Sequence, residues 1–350
     1  MFGKALPVTG SIERNRGYLT DLFGGPFRGH AVIMDPCLPP TDCTEDAAAS
    51  SRPVKEWVPV VVRNYEHRLK WHEETDDDSV PYATPWTGTE IFAAAFGCPV
   101  HIYPDSPPSA QPLVQTAEEA DRLPVPDPVN SRPLARIFEL ASLVREQLGP
   151  GVPISVPDIQ SPFDIACLVW RKESLYLALH ESPEAVKRLV EKCHALLKAF
   201  LVEYLKKFPD AVLCHCPYAW APAELGCWLS EDEAGSMSPA MFEEFCLPSL
   251  TDLSRAFGGI FIHCCATADH QYPSFGKIPN LRGLHRVFQS PGPRPAIEAF
   301  AGKTVLMVGY DERILDMALP ESRFLFNVGS ESLEDAKRTY EGIRARCPRL

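Results

Sequence analysis

The chain has 350 residues, 45% of them hydrophobic and 23% charged, the make-up of an ordinary globular protein. A formal net charge of -12 argues against a nucleic-acid partner, which calls for a basic surface. No run of about 18 apolar residues is present to span a membrane. Residues 1–7 hold no apolar core of signal-peptide length, so a cytoplasmic location is expected.

In chain order, residues 1–30 read as a short helix and a Gly/Pro turn at Gly24-Gly25-Pro26. Residues 30–35 are a predicted first strand, stopped by Pro36. Residues 37–55, rich in Pro, Ser, Thr and Asp, are a predicted loop. A mixed segment follows, and its acidic run Asp76-Asp77-Asp78 is expected to be a solvated turn. A short helix is predicted at 89–96, ended by Gly97, and a proline-rich connection at 104–133. Most of the 35 prolines precede residue 165, so the single domain 1–350 divides into a loop-rich part, 1–133, and a regular part, 134–350.

The regular part predicts a helix at 134–148 and a strand at 152–156. A long amphipathic helix then opens at Ser182-Pro183, an N-cap with proline at the first helical position. A strand at 211–216 precedes a helix opened by Ser238-Pro239 and kinked at Pro248. Strands are predicted at 259–265, 281–285, 304–308 and 323–328, and a helix at 333–346 closes the chain. Alternating strands and helices imply a parallel sheet. Candidates near residues 31, 80, 153, 211, 259, 281, 304 and 323 number about eight, which predicts an α/β fold, a closed (β/α)8 TIM barrel. No Gly-x-Gly-x-x-Gly follows a strand to support a dinucleotide fold.

Chemistry concentrates in Gly259-Ile-Phe-Ile-His-Cys-Cys-Ala-Thr-Ala-Asp269. Strand alternation puts Phe261, His263 and Cys265 on one face and Ile260, Ile262 and Cys264 on the other. An imidazole and a thiol one pleat apart suit zinc, which takes nitrogen and sulfur together. The twelve cysteines include no C-x-x-C pair, so most are expected to be packing thiols. Cys214/Cys216 and Cys264/Cys265 are the exceptions. His285, Asp311 and the pair Asp232/Glu233 are candidate acid/base groups near strand ends, with packing or loop charge as the alternative. Tyr218, Trp220 and Trp228 read either as an aromatic wall or as core.

The stretch from Trp228-Leu-Ser-Glu-Asp-Glu through Ser238-Pro-Ala-Met-Phe-Glu-Glu-Phe to Pro248, followed by the His-Cys-Cys strand, resembles the uroporphyrinogen decarboxylase superfamily. So do Asp158-Ile-Gln-Ser-Pro-Phe-Asp164, Glu181-Ser-Pro-Glu184 and Phe96-Gly-Cys-Pro-Val100. The likeness is densest from about 150 to 345. It implies a barrel with its site at the C-terminal strand ends. True decarboxylases of the group carry arginines just after the first strand, where this chain has Val32-Ile-Met-Asp-Pro-Cys37. The zinc-dependent corrinoid methyltransferase branch uses His-x-Cys, which His263 and Cys265 match. That branch's further cysteine near the last strand is replaced by Asn327-Val-Gly-Ser330. Cys216, Cys214 or His215 on a neighbouring strand then stand as sources of a third ligand. The resemblance implies methyl transfer between a corrinoid or methylated small molecule and a thiol. The chain has no Asp-x-His-x-x-Gly stretch, so a corrinoid would come on a separate protein. The alternatives are a metal-free decarboxylase or lyase acting on a small acid, and a non-catalytic ligand-binding barrel.

Overall fold

The computed structural model describes residues 10–25, 29–36, 52–103 and 106–347; most of the predicted loop at 37–55 and part of the turn at 24–26 lie outside them. Six parallel strands form one continuous ladder: β1 (His30–Pro36), β4 (Cys227–Ser230), β5 (Ile260–Cys264), β6 (Leu281–Arg286), β7 (Val305–Gly309) and β8 (Phe324–Ser330). Their spatial order is β1-β8-β7-β6-β5-β4. A small antiparallel pair, β2 (Val100–His101) and β3 (Ser109–Ala110), stands apart. The α/β fold is therefore as expected, and five of the six ladder strands coincide with predicted ones. β4 is the addition: four residues are too few to show an alternating pattern.

The arc from β4 back to β1 is built differently. The segments predicted as strands near 80, 153 and 211 are joined by single parallel bridges, Ala83 to Ile154, Ser155 to Val212 and Gln160 to Ser230. Pro81, Pro85, Pro153, Pro157 and Pro217 explain the brevity, because proline cannot donate to a ladder.

Two expectations are corrected here. The mixed segment is a long helix, Val54–Thr75, which buries Trp57, Val58, Val61, Tyr65, Leu69 and His72 at helical spacing. The acidic run after it is a solvated turn only at Asp76, which caps the helix at φ 50°. Asp77 and Asp78 are fully buried. The N–H of Met34 donates to Asp77 Oδ2 and that of Val32 to Asp78 Oδ2, both at 2.7 Å. Carboxylates thus take the place of a neighbouring strand along β1, whose buried donors would otherwise be unpaired. Arg344 pairs with Asp78, and His72 Nδ1 lies 2.9 Å from Asp77 Oδ1.

The bottom of the sheet is packed with aromatic rings. Trp228 of β4 stacks on Phe261 of β5 at 4.4 Å, and Phe23 of the helix Gly10–Gly24 meets both edge-on. Trp228 is accordingly core and no wall for a substrate. Gly283 lies opposite Phe261 in the register, where an added Cβ would come within 2.7 Å of that ring. Outside the strands, the helix Pro183–Lys207 buries the apolar stripe from Val186 to Tyr204. The kink predicted at Pro248 is a break at Cys246 between helices Pro239–Phe245 and Leu247–Phe257. Among the described residues no helix is long and apolar enough to cross a membrane.

Candidate functional site

The ladder register sets the site. Ser230, His263 and His285 are Cα partners across β4, β5 and β6, one row above the Trp228/Phe261 layer. Their spacing brings His263 Nδ1 to 2.6 Å from His285 Nδ1, and Cys216 Sγ to 3.3 Å from His263 Nδ1. Cys216, His263 and His285 are each half-buried, and their donor atoms all lie within 4.8 Å of one another. A second group, Asp232, His263 and Cys265, meets the same limit on the outer side, with Cys265 exposed. His263 belongs to both.

Burial keeps the two imidazoles and the two thiols uncharged. Burial, with His263 and Arg286 nearby, pushes His285 down to about 3. Burial also lowers His263, against the pull of Asp232 and Asp158. Neutral imidazoles are the form that binds metal. Burial, then Asp158 and Asp232, raises the Cys216 thiol to about 12, and burial with Asp232 raises Cys265 to about 11. Either thiol would need a cation to ionise near neutrality.

The turn bearing Cys265 is pinned from two sides. Asp232 Oδ1 accepts the Cys265 N–H at 2.7 Å, and Arg286 Nη1 donates to the carbonyls of Cys264 and Ala266. Asp232 is itself held, its N–H donating to Asp164 Oδ2 at 2.8 Å. Burial raises Asp164 to about 8, and it lies beside the equally buried Glu231, which is raised as well.

The other predicted site residues separate. His215 is buried with Nδ1 4.0 Å from Asp158 Oδ2, and its Nε2 has no hydrogen-bond partner. Burial and His263 push it to about 3. It faces the group electrostatically but shares neither donor set. Asp311 caps the short helix Glu312–Asp316, accepting the Arg313 N–H at 2.9 Å and pairing with that guanidinium. These bonds hold its carboxyl down to about 2, and all of them are local. Trp220 lies with Arg16 along a surface groove, whereas Tyr218 stacks on Tyr82 at 4.6 Å.

Two further residues near the group carry no signal of their own in the sequence pattern. Asp158, raised to about 6 by burial, feels both His263 and Asp232. Arg68 reaches from the helix Val54–Thr75 to Asp35 at 2.6 Å and lies 3.9 Å over the Tyr218 ring. Recognising the Tyr65/Leu69/His72 spacing as helical would have placed it.

The donor set fits zinc. Zinc bonds of 2.0–2.1 Å to nitrogen and 2.3 Å to sulfur put tetrahedral ligand atoms roughly 3.3–3.6 Å apart. The Cys216–His263 distance of 3.3 Å must open by about 0.3 Å and the 2.6 Å imidazole contact by less than about 1 Å.

Comparison with known proteins agrees with this architecture. A search of curated protein sequences finds no match. The structure is similar to that of a methyltransferase from Methanosarcina mazei, with a TM-score of 0.67 over 95% of this chain and 98% of that one. Identity is 13%, so the likeness is one of fold. Residues 87–284 match the family described as uroporphyrinogen decarboxylase (URO-D), which is more than half of the sequence. On that match, the chain belongs to the uroporphyrinogen decarboxylase family.

Proposed function

We propose that this chain is a zinc-dependent methyltransferase that moves a methyl group from a corrinoid or a methylated small molecule to a thiol. The observation that carries the reading is the half-buried set of two neutral imidazoles and one thiol, Cys216, His263 and His285, with a further thiol and carboxylate, Cys265 and Asp232, at its open side. Three protein ligands and an open position are the pattern of a catalytic zinc. When bound, zinc supplies positive charge that lowers the pKa of a thiol beside it.

The chain's own residues do the rest. Asp232 and Arg286 hold the Cys265 turn, which borders the side where a thiol enters. In the transfer, the thiol S–H bond breaks and an S–CH3 bond forms. The demethylated donor keeps the bonding pair, and Asp158, poised at about 6, takes up the proton. Gln160 Nε2 donates to Asp158 Oδ1 and positions that carboxyl, with the neutral His215 close by. A corrinoid would arrive on a separate protein at the mouth.

Metal-free decarboxylation of a small acid has less support, because that chemistry wants free cations for a carboxylate. Arg68 is paired with Asp35, and Arg286 is occupied by backbone carbonyls. The reading is tested by incubating the metal-analysed protein with methylcobalamin and 2-mercaptoethanol and detecting the thioether by mass spectrometry. Thioether formation lost in His263→Ala is expected. A zinc-replete protein that forms none would overturn methyl transfer.

A further inference from the structure

Away from the His263 group lies a cavity of about 400 Å³ between the helix Arg132–Leu148, the helix Val54–Thr75 and the segment around β2. Its walls are apolar, with the buried Trp57, Ile91 and Ile137, and its lip carries the exposed Val100 and Ile102. Three charged side chains line it: Glu90, Arg132 and Arg136. Its volume is that of a small-ligand pocket with few convergent polar groups.

The polar groups are incompletely matched by the protein. Glu90 is 7% exposed, and its Oε2 has no hydrogen-bond partner. Among the described residues, neither Arg132 nor Arg136 forms an ion pair at 4.0 Å or less with any carboxylate in the cavity; the one partner of the Arg136 guanidinium is the Arg52 carbonyl. Arg136 feels Arg132 as a like charge, opposed by Glu139 and Glu90, and sits 5.9 Å from the Trp57 ring. Two neighbouring guanidinium groups over an apolar cavity call for an anion. Burial raises the Glu90 carboxyl to about 7, so it can be neutral and donate to the same anion.

We propose that this cavity binds a small organic anion, a monocarboxylate with an apolar body, its head between Arg132, Arg136 and Glu90 and its body against Trp57, Ile91 and Ile137. The link to the barrel mouth runs through Thr87, which lines the cavity and accepts the Asp158 N–H at 3.1 Å. The site is otherwise separate from the zinc group and does not depend on the function proposed above.

The test is calorimetric titration of the full chain with octanoate and with octanamide. Saturable octanoate binding is expected, at least tenfold tighter than that of the uncharged amide. Arg132→Gln, an exposed substitution that leaves the fold alone, and Arg136→Gln should each weaken it several-fold. Glu90→Gln should tighten it at pH 8 by removing a repelling carboxylate. His263→Ala should leave it unchanged. Octanoate that fails to saturate by 10 mM, as roughly expected of non-specific contact, would overturn the proposal. So would octanamide binding equally well, or binding lost in His263→Ala and kept in the arginine variants.

Discussion

The two arcs of the sheet are held together by different means. From β4 through β8 to β1, backbone groups pair with backbone groups in register. Between β1 and β4, single bridges and two buried aspartates do that work. The difference divides the candidate site. His263 and His285 stand in one ladder row and are held rigidly. Asp158, His215 and Cys216 lie outside the ladder on proline-interrupted segments, where the backbone has fewer partners and more freedom to adjust to a ligand.

Substitutions in each arc sharpen the contrast. Asp78→Ala removes the acceptor for the Val32 N–H and strands the partly buried Arg344, so the loss should be the largest, on the order of 3–5 kcal/mol by urea unfolding. A loss below about 1 kcal/mol would mean that the carboxylate does not stand in for a strand. Glu90, which opens the short helix Ile91–Ala95 between the bridged residues Ala83 and Ile154, should give a pH-dependent effect. Its folded pKa, about 7, lies above its unfolded value, so the native state binds the proton more tightly and loses stability as pH rises through that range. Glu90→Gln should therefore be more stable than wild type at pH 8 by up to roughly 3 kcal/mol, the advantage vanishing below about pH 4.5. An advantage independent of pH would contradict the assignment.

In the ladder, Gly283→Ala should cost about 1–3 kcal/mol, because the new methyl comes within 2.7 Å of the buried Phe261 ring, which must shift. Thermal unfolding measures it, and an unchanged midpoint would show the row to be softer than argued. The smallest effect is expected at His215→Ala, which should retain bound zinc by elemental analysis, because His215 shares neither donor set. Loss of zinc there would move His215 into the donor set.

How much was legible follows the same division. The strands at 259–265, 281–285, 304–308 and 323–328 announce themselves as apolar runs bounded by breakers, and His263 with them. The bridged arc has no such period. Its prolines hide the strand positions, and an acidic triplet that composition assigns to solvent is held inside by β1 and Arg344. His285 was seen as an acid/base candidate, yet its proximity to His263 is a property of register between strands 22 residues apart. Asp311 was a reasonable choice by position, but a neighbouring Arg313 claims it. Spacing along one strand selected Cys265, and Cys216 stood beside Cys214 and His215 as a further ligand; only the folded chain groups Cys216 with His263 and His285, apart from Cys265.

That grouping is the central claim and admits a direct measurement: zinc per chain by elemental analysis in His263→Ala, Cys216→Ser, His285→Ala and Cys265→Ser beside wild type. The account predicts about one zinc in wild type and in Cys265→Ser, and little in the other three. Zinc lost from Cys265→Ser and kept in both Cys216→Ser and His285→Ala would contradict it and place the ion in the outer group with Asp232.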